Sequence, residues 1–183
     1  NGTIPAVDAR RADLARQAGI QVMKLLSGDI RPGNIVNSDA IFNAFTVDMA
    51  LGGSSNSVLH LMAIASEAGV EFNLSMVNDI GLHTPYLSSL RPAGPHPIED
   101  LDKAGGIPAV MGELKDLLRL QSKTVTGMTL GENLAGVKTL DSEVIHPVKT
   151  AHSATGGLAV LFGNLAPEGA VVKKAAVAPE MMT

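Results

Sequence analysis

Apolar residues recur every three or four positions through most of the chain, and this spacing predicts a body made mainly of helices. The first helix is predicted over residues 8–26, with Asp8 as its N-cap and residues 27–29 as its end. A loop is predicted at Pro32-Gly33, since both residues break regular structure. The apolar face of the first helix is formed by Leu14, Ala18, Val22 and Leu25.

Further helices are predicted downstream, separated by glycines and capping residues. Ser38 is the expected N-cap of one, and Gly69 follows the predicted end of the next. Thr129 and Glu132 have the spacing of a capping box at the start of a short helix. The predicted ranges are 38–51, 54 or 55 to 68, 74–80, 98–103, 107–118 and 129–134.

The pattern changes toward β-structure near the C-terminal end. Residues 83–97 contain four prolines and predict an ordered loop. Short apolar or β-branched runs predict strands, with turns at 163–164 and 167–169. The chain therefore moves from a helical body into a β-rich unit near residues 140–155. The predicted strands are 124–126, 144–145, 158–162 and 170–172.

Composition excludes several classes of protein. Of 183 residues, 45% are apolar and 17% are charged, whereas a disordered chain is poor in apolar residues and rich in charged ones. The longest apolar runs fall far below the ~20 residues of a membrane-spanning helix, so no membrane role is expected. A net charge of −4 and 3% aromatic residues leave no basic surface or stacking platform for nucleic acid.

Cysteine is absent, which excludes disulfides, thiolate nucleophiles and sulfur-ligated clusters within this chain. No pair among the five histidines has zinc-ligand spacing, so we predict no metal ligand here. The chain begins at Asn1 without a methionine and ends at Thr183, and we expect it to be a fragment.

The segment Gly52-Gly53-Ser54-Ser55-Asn56 is the most suggestive local feature. Two glycines allow close approach of a ligand, and hydroxyl and amide groups follow at a predicted helix N-terminus, which attracts anions. The alternative is a tight turn with a serine cap, and the residues alone favour it. As the candidate substrate-binding residues we take Gly53, Ser54, Ser55 and Asn56.

Other polar groups have structural interpretations. The acidic cluster Glu99, Asp100 and Asp102 has the oxygen ligands that Mg²⁺ prefers, but carboxylates near a helix N-terminus explain it better. His60 lies beside an apolar stripe and is expected to be partly buried and hydrogen-bonded. Lys173-Lys174 is interpreted as a solvated strand end.

Several stretches together resemble the dihydroxy-acid dehydratase and phosphogluconate dehydratase family. The similarity covers nearly the whole chain, in the right order. The short connection between Leu120 and Gly156 is more similar to the dihydroxy-acid branch. The matching stretches are residues 47–56 with 58–61, 99–101 with 104–108, 124–127 with 129–134, 156–161 and 163–167.

The resemblance implies a helix-rich α/β fold, with residues 1–140 ending a large N-terminal α/β domain. Residues 141–183 would form a linker and the first strands of a β-rich C-terminal domain. It also implies a cytoplasmic hydro-lyase of branched-chain amino-acid biosynthesis, which dehydrates 2,3-dihydroxy acids to 2-keto acids. The family enzyme uses an iron–sulfur cluster and Mg²⁺, whose ligands would lie outside this chain.

The small-molecule substrate would be a dihydroxy acid, and the complete protein a homodimer or higher homo-oligomer. Alone, the fragment would be inactive. Two alternatives stay open: a sugar-acid dehydratase of the same family, and a non-catalytic binding or assembly module derived from it.

Overall fold

The computed structural model describes residues 2–181. Its long helices and its one pair of strands confirm the predicted helix-rich α/β character of this part of the chain. The α-helices are α1 (Arg10–Ser27), α2 (Pro32–Ile35), α3 (Ser38–Ala50), α4 (Ser55–Glu67), α5 (Leu74–His83), α6 (Ile98–Lys103), α7 (Gly106–Glu113) and α8 (Leu130–Asn133). Single turns of 3-10 helix lie at Val148–Thr150, Lys174–Ala176 and Pro179–Met181, and the strands are β1 (Ala159–Gly163) and β2 (Ala166–Val172).

Helix α3 lies between two hydrophobic clusters. One side carries Val47 and Ala50 into the first cluster, and another side carries Phe45 and Met49 into the second. A helix that is apolar on more than one side is buried rather than amphipathic. This explains why α3 is the central element of the body.

Segments that follow residue 141 complete both clusters. Val144 and Ile145 pack into the first cluster, beside α6 and α7. Leu158 and Val160 pack into the second, beside α4 and α5. The helical body therefore depends on late segments of the chain for its core.

Strands β1 and β2 form an antiparallel hairpin, with Val160 opposite Val171. The turn predicted at 163–164 lies one residue later, at 164–165 between the strands, and the turn predicted at 167–169 is wrong because these residues lie inside β2. Gly169 has φ of +103°, and a β-carbon there would stand 3.1 Å from Val160 Cγ1. The glycine therefore permits close packing within the sheet rather than ending the strand.

Two predicted helix ends are wrong. Helix α5 continues past Gly81 to His83, because Gly81 is a packing position: a β-carbon there would stand 3.2 Å from Met49 Sδ. Helix α7 ends at Glu113 rather than at 118. Leu114 and Leu118 are nevertheless buried, as the apolar spacing indicated.

Four further local predictions are wrong. Pro32 starts the single turn of α2, where a proline fits the first helical position. Asn37, not Ser38, caps α3, because its side chain accepts a hydrogen bond from the Ala40 amide. Residues 124–126 and 144–145 lie in turns and irregular chain instead of strands. The cap of α4 at Ser54 and the capping box of α8 at Thr129 are confirmed.

Helix α1 is present but has no buried residue. It begins at Arg10, so the N-cap is Ala9 and not Asp8 as predicted. Asp8 still bonds the start of the helix, because its Oδ1 accepts from the Arg10 amide at 2.9 Å. Its predicted apolar face is not buried, and Val22 is 59% exposed. The helix is held by single contacts, including a salt bridge of 2.7 Å from Arg10 to Asp102.

Within residues 2–181, no helix combines the length and hydropathy needed to cross a membrane.

Candidate functional site

The turn between α3 and α4 is built on two glycines with left-handed backbone. Gly52 has φ of +75° and Gly53 has φ of +41°, a region that other residues rarely adopt. A β-carbon on Gly53 would stand 2.7 Å from Asp48 Oδ2, and one on Gly52 would stand 2.9 Å from Tyr86 Cε2. Both glycines are therefore required by backbone conformation and by space.

The first turn of α4 is fixed by serine hydroxyls. Ser54 Oγ accepts from the Asn56 amide at 3.2 Å, and the Ser54 amide donates to Ser57 Oγ at 3.2 Å. Ser57 Oγ in turn donates to Asp48 Oδ2 at 2.7 Å. Ser54 therefore has a structural task, whereas the side chains of Ser55 and Asn56 lie on the surface.

Asp48 lies beneath the turn, against Gly53, and is half-buried. Burial raises its pKa above the usual 3.8, against the opposing effects of the hydrogen bond from Ser57 and the charge of Lys173. A carboxylate in such a place favours its neutral form. The turn therefore covers a titratable group that lies in the matching stretch 47–56 but whose burial no local pattern predicts.

The C-terminal segment wraps the same turn. The Gly157 amide donates to Met49 O at 3.0 Å, and the Ala175 amide donates to Gly157 O at 2.9 Å. Lys173 Nζ donates to Gly53 O at 2.7 Å. The interpretation of Lys173 as a solvated strand end is therefore wrong. No local signal could have found this contact, because the two residues are 120 positions apart.

An open apolar cleft of about 340 Å³ lies beside the start of α4. It begins at Ser55 and continues along one side of α4 to α5 and β2. Chemically, the N-terminus of this 13-residue helix suits an anion, and the cleft suits an alkyl group. The lining residues are Ser55, Val58, Leu59, Met62, Leu74 and Val171.

The acidic cluster has the structural role that the sequence favoured. Asp102 accepts hydrogen bonds from Arg10 at 2.7 Å and from Thr3 at 3.0 Å, and these contacts lower its pKa. Asp100 lies 3.5 Å from His96 and 3.8 Å from Lys103. Asp102 therefore links the end of α6 to the start of α1, and the contacts of Asp100 are local to α6. Among the described residues, these carboxylates form no group that could hold a metal ion.

The histidines are arranged differently from the prediction. His60 is exposed, so the expected partial burial is wrong. The rings of His146 and His152 pack against each other at an angle of 40°, with centroids 4.1 Å apart, and the Tyr86 ring centroid lies 5.4 Å from that of His152. Burial, followed by the charges of His146 and His96, lowers the pKa of His152 below 6.5. No local sequence signal predicts this pair.

The residues present do not fit an iron–sulfur cluster or a catalytic Mg²⁺ site. The chain has no cysteine to bind iron. Across residues 2–181, no three histidine or acidic side chains are placed to hold a metal ion together.

Two family models match the chain. The dihydroxy-acid/6-phosphogluconate dehydratase N-terminal model matches residues 1–133, and the corresponding C-terminal model matches residues 143–183. The whole chain is 57% identical to a dihydroxy-acid dehydratase of Carboxydothermus hydrogenoformans and 54% identical to one of Dehalococcoides mccartyi. A dihydroxy-acid dehydratase of Ruminiclostridium cellulolyticum is 55% identical. The chain spans about a third of the length of these curated relatives.

Proposed function

The chain belongs to the dihydroxy-acid/6-phosphogluconate dehydratase family, and from this we propose that the complete protein is a hydro-lyase. It would convert 2,3-dihydroxy carboxylic acids to 2-keto acids. The observation that carries the proposal is identity of 53–57% over the whole chain to proteins named dihydroxy-acid dehydratase. The short connection between Leu120 and Gly156 also supports this branch over the sugar-acid branch.

Within that enzyme we assign residues 1–140 to the N-terminal α/β domain and residues 141–183 to a linker and the start of the C-terminal domain. The two family models, which meet between residues 133 and 143, support this boundary. The chain would contribute scaffold for both domains.

For substrate binding we assign Gly53, Ser54, Ser55 and Asn56 to one wall of the pocket. Ser55 and Asn56 carry outward polar groups at the positive end of α4, which would bind the substrate carboxylate. Gly53 and Ser54 would shape the wall, because backbone geometry and capping already occupy them. The apolar cleft beside Ser55 supports an acid with an alkyl group.

The iron–sulfur cluster and Mg²⁺ that the family implies would be held by residues outside this chain. The absence of cysteine supports this assignment. We derive no chemical step through either group from the residues described. A cytoplasmic location, a homo-oligomeric state and a role in branched-chain amino-acid biosynthesis complete the proposal.

The test is an assay of the protein expressed from its complete gene. We expect a 2-keto acid to form from a branched 2,3-dihydroxy acid much faster than from 6-phosphogluconate, and we expect iron and acid-labile sulfide in the protein. Preference for the phosphorylated sugar acid would instead assign the sugar-acid branch. Absence of both activities and of iron would favour a non-catalytic module and contradict the proposal.

A further inference from the structure

Lys173 connects the C-terminal hairpin to the turn before α4. It is the first residue after β2, and its Nζ donates to Gly53 O at 2.7 Å. The next lysine, Lys174, bonds Thr155 Oγ1 instead. The two neighbouring lysines therefore have separate partners, and only Lys173 reaches the candidate substrate-binding segment.

The turn that Lys173 reaches has unusual freedom in the unfolded chain. Gly52 and Gly53 are adjacent glycines, both with positive φ. Glycine loses more conformational entropy on folding than any other residue, so such a turn needs contacts that restrict it. A charged donor forms a stronger hydrogen bond to a carbonyl than a neutral donor does. The ammonium of Lys173 therefore restricts the Gly53 peptide effectively.

The charge of Lys173 also acts below the turn. Asp48 lies there, where Gly53 leaves room for its carboxyl group, and Ser57 Oγ donates to it at 2.7 Å. Lys173 favours the ionised form of Asp48, against the effect of burial. The same ammonium thus supports the carbonyl of the turn and the carboxylate that binds the first turn of α4.

We propose that Lys173 is a positioning residue for the substrate-binding segment, residues 53–56. Its bond to Gly53 O fixes the peptide that precedes Ser54, and so fixes the direction in which the N-terminus of α4 points. The proposal rests on the proposed function, because it assigns the segment to the substrate pocket. Lys173 would touch the turn and not the substrate.

The test compares Lys173→Met and Lys173→Arg with Lys149→Met in the complete gene product. Lys149 is an exposed lysine in the 3-10 turn at Val148–Thr150, so its variant controls for the loss of a charge. Hydrogen exchange is followed at the amides of residues 54, 56 and 57, which are hydrogen-bonded within the turn. KM and kcat for the dihydroxy acid are measured on the same preparations.

We expect exchange of these amides to be at least about tenfold faster in Lys173→Met, because a charged hydrogen bond is lost. KM should rise several-fold with little change in kcat, and Lys173→Arg should restore most of both. The Lys149 variant should match the wild type. If Lys173→Met does not fold, the arginine variant and a Lys173→Gln variant provide the same comparison.

Two results would overturn the proposal in a folded variant: unchanged exchange, or faster exchange with unchanged KM. A complete wild-type protein without dehydratase activity would reject the proposed function instead. The exchange data would then still decide whether Lys173 holds the turn, so the two failures are distinguishable.

Discussion

Gly157 lies against Gly52 so closely that a β-carbon on Gly157 would stand 2.3 Å from Gly52 Cα. This contact joins the segment before β1 to the turn before α4. It exists only because Gly157 has no side chain. The obstacle on the other side is main chain, which cannot rotate away.

Gly157→Ala is therefore expected to destabilise the protein by about 3 kcal/mol or more, because backbone must move to admit the methyl group. Gly163→Ala is the matched control, since a β-carbon there has no neighbour within 4 Å and should change stability by less than about 0.5 kcal/mol. Urea unfolding of the two variants measures the difference. Equal stability would show that the contact yields easily.

The Asn43 side chain bonds both backbone groups of Arg119, which lies beyond the end of α7 at Glu113. Its Oδ1 accepts from the Arg119 amide at 2.7 Å, and its Nδ2 donates to Arg119 O at 3.1 Å. Asn43→Ala leaves both backbone groups without this partner and should cost about 2–3 kcal/mol of unfolding free energy. Asn164→Ala, in the exposed hairpin turn, should have little effect in the same denaturation experiment.

Asn56→Ala tests the proposed pocket wall directly. In the complete enzyme we expect KM for the dihydroxy acid to rise about tenfold if the amide binds the carboxylate. The thermal midpoint should stay near that of the wild type, because alanine is a good helix former. Ser66→Ala, near the other end of α4, is the control. Unchanged kinetics in a folded Asn56 variant would reject the assignment.

Asp48 should make stability depend on pH. Because its folded pKa is raised above 3.8, the folded state holds the proton more tightly than the unfolded state. The stability that this group contributes is fully present below pH 3.8 and is lost as pH rises through the folded pKa. Asparagine does not titrate, so the Asp48→Asn variant does not lose this stability as pH rises. Its free energy of unfolding, relative to that of the wild type, should therefore increase from acid to neutral pH. A pH-independent difference in urea midpoints would contradict this.

Local signals in the sequence predict α4 and α8 well. Ser54 and Thr129 cap the helices that they precede, and Gly69 follows α4 with φ of +67°. Each of these caps bonds a backbone amide two or three residues away, so the local sequence is sufficient to predict it. The membership of the turn at residues 53–56 in a pocket remains a prediction.

Long-range contacts explain what the sequence could not show. The spacing predicts a helix to residue 118, but helix α7 ends at Glu113, and a few residues later the backbone of Arg119 bonds the side chain of Asn43, 76 positions away. The local sequence predicts a solvated Lys173, but in the fold its Nζ bonds the carbonyl of Gly53. The local sequence predicts that Gly81 ends a helix, but the helix continues and Met49 occupies the space that a side chain at position 81 would need. In each case a distant partner overrides the local preference.

The late completion of the second cluster has a consequence during synthesis. Phe45 and Met49 are covered partly by Leu158 and Val160, which leave the ribosome roughly a hundred residues later. At about 5–20 residues per second, this interval lasts on the order of 5–20 s. During that time one side of α3 is an apolar surface on a nascent chain. The translation rate between these segments therefore sets how long chaperones have to bind it.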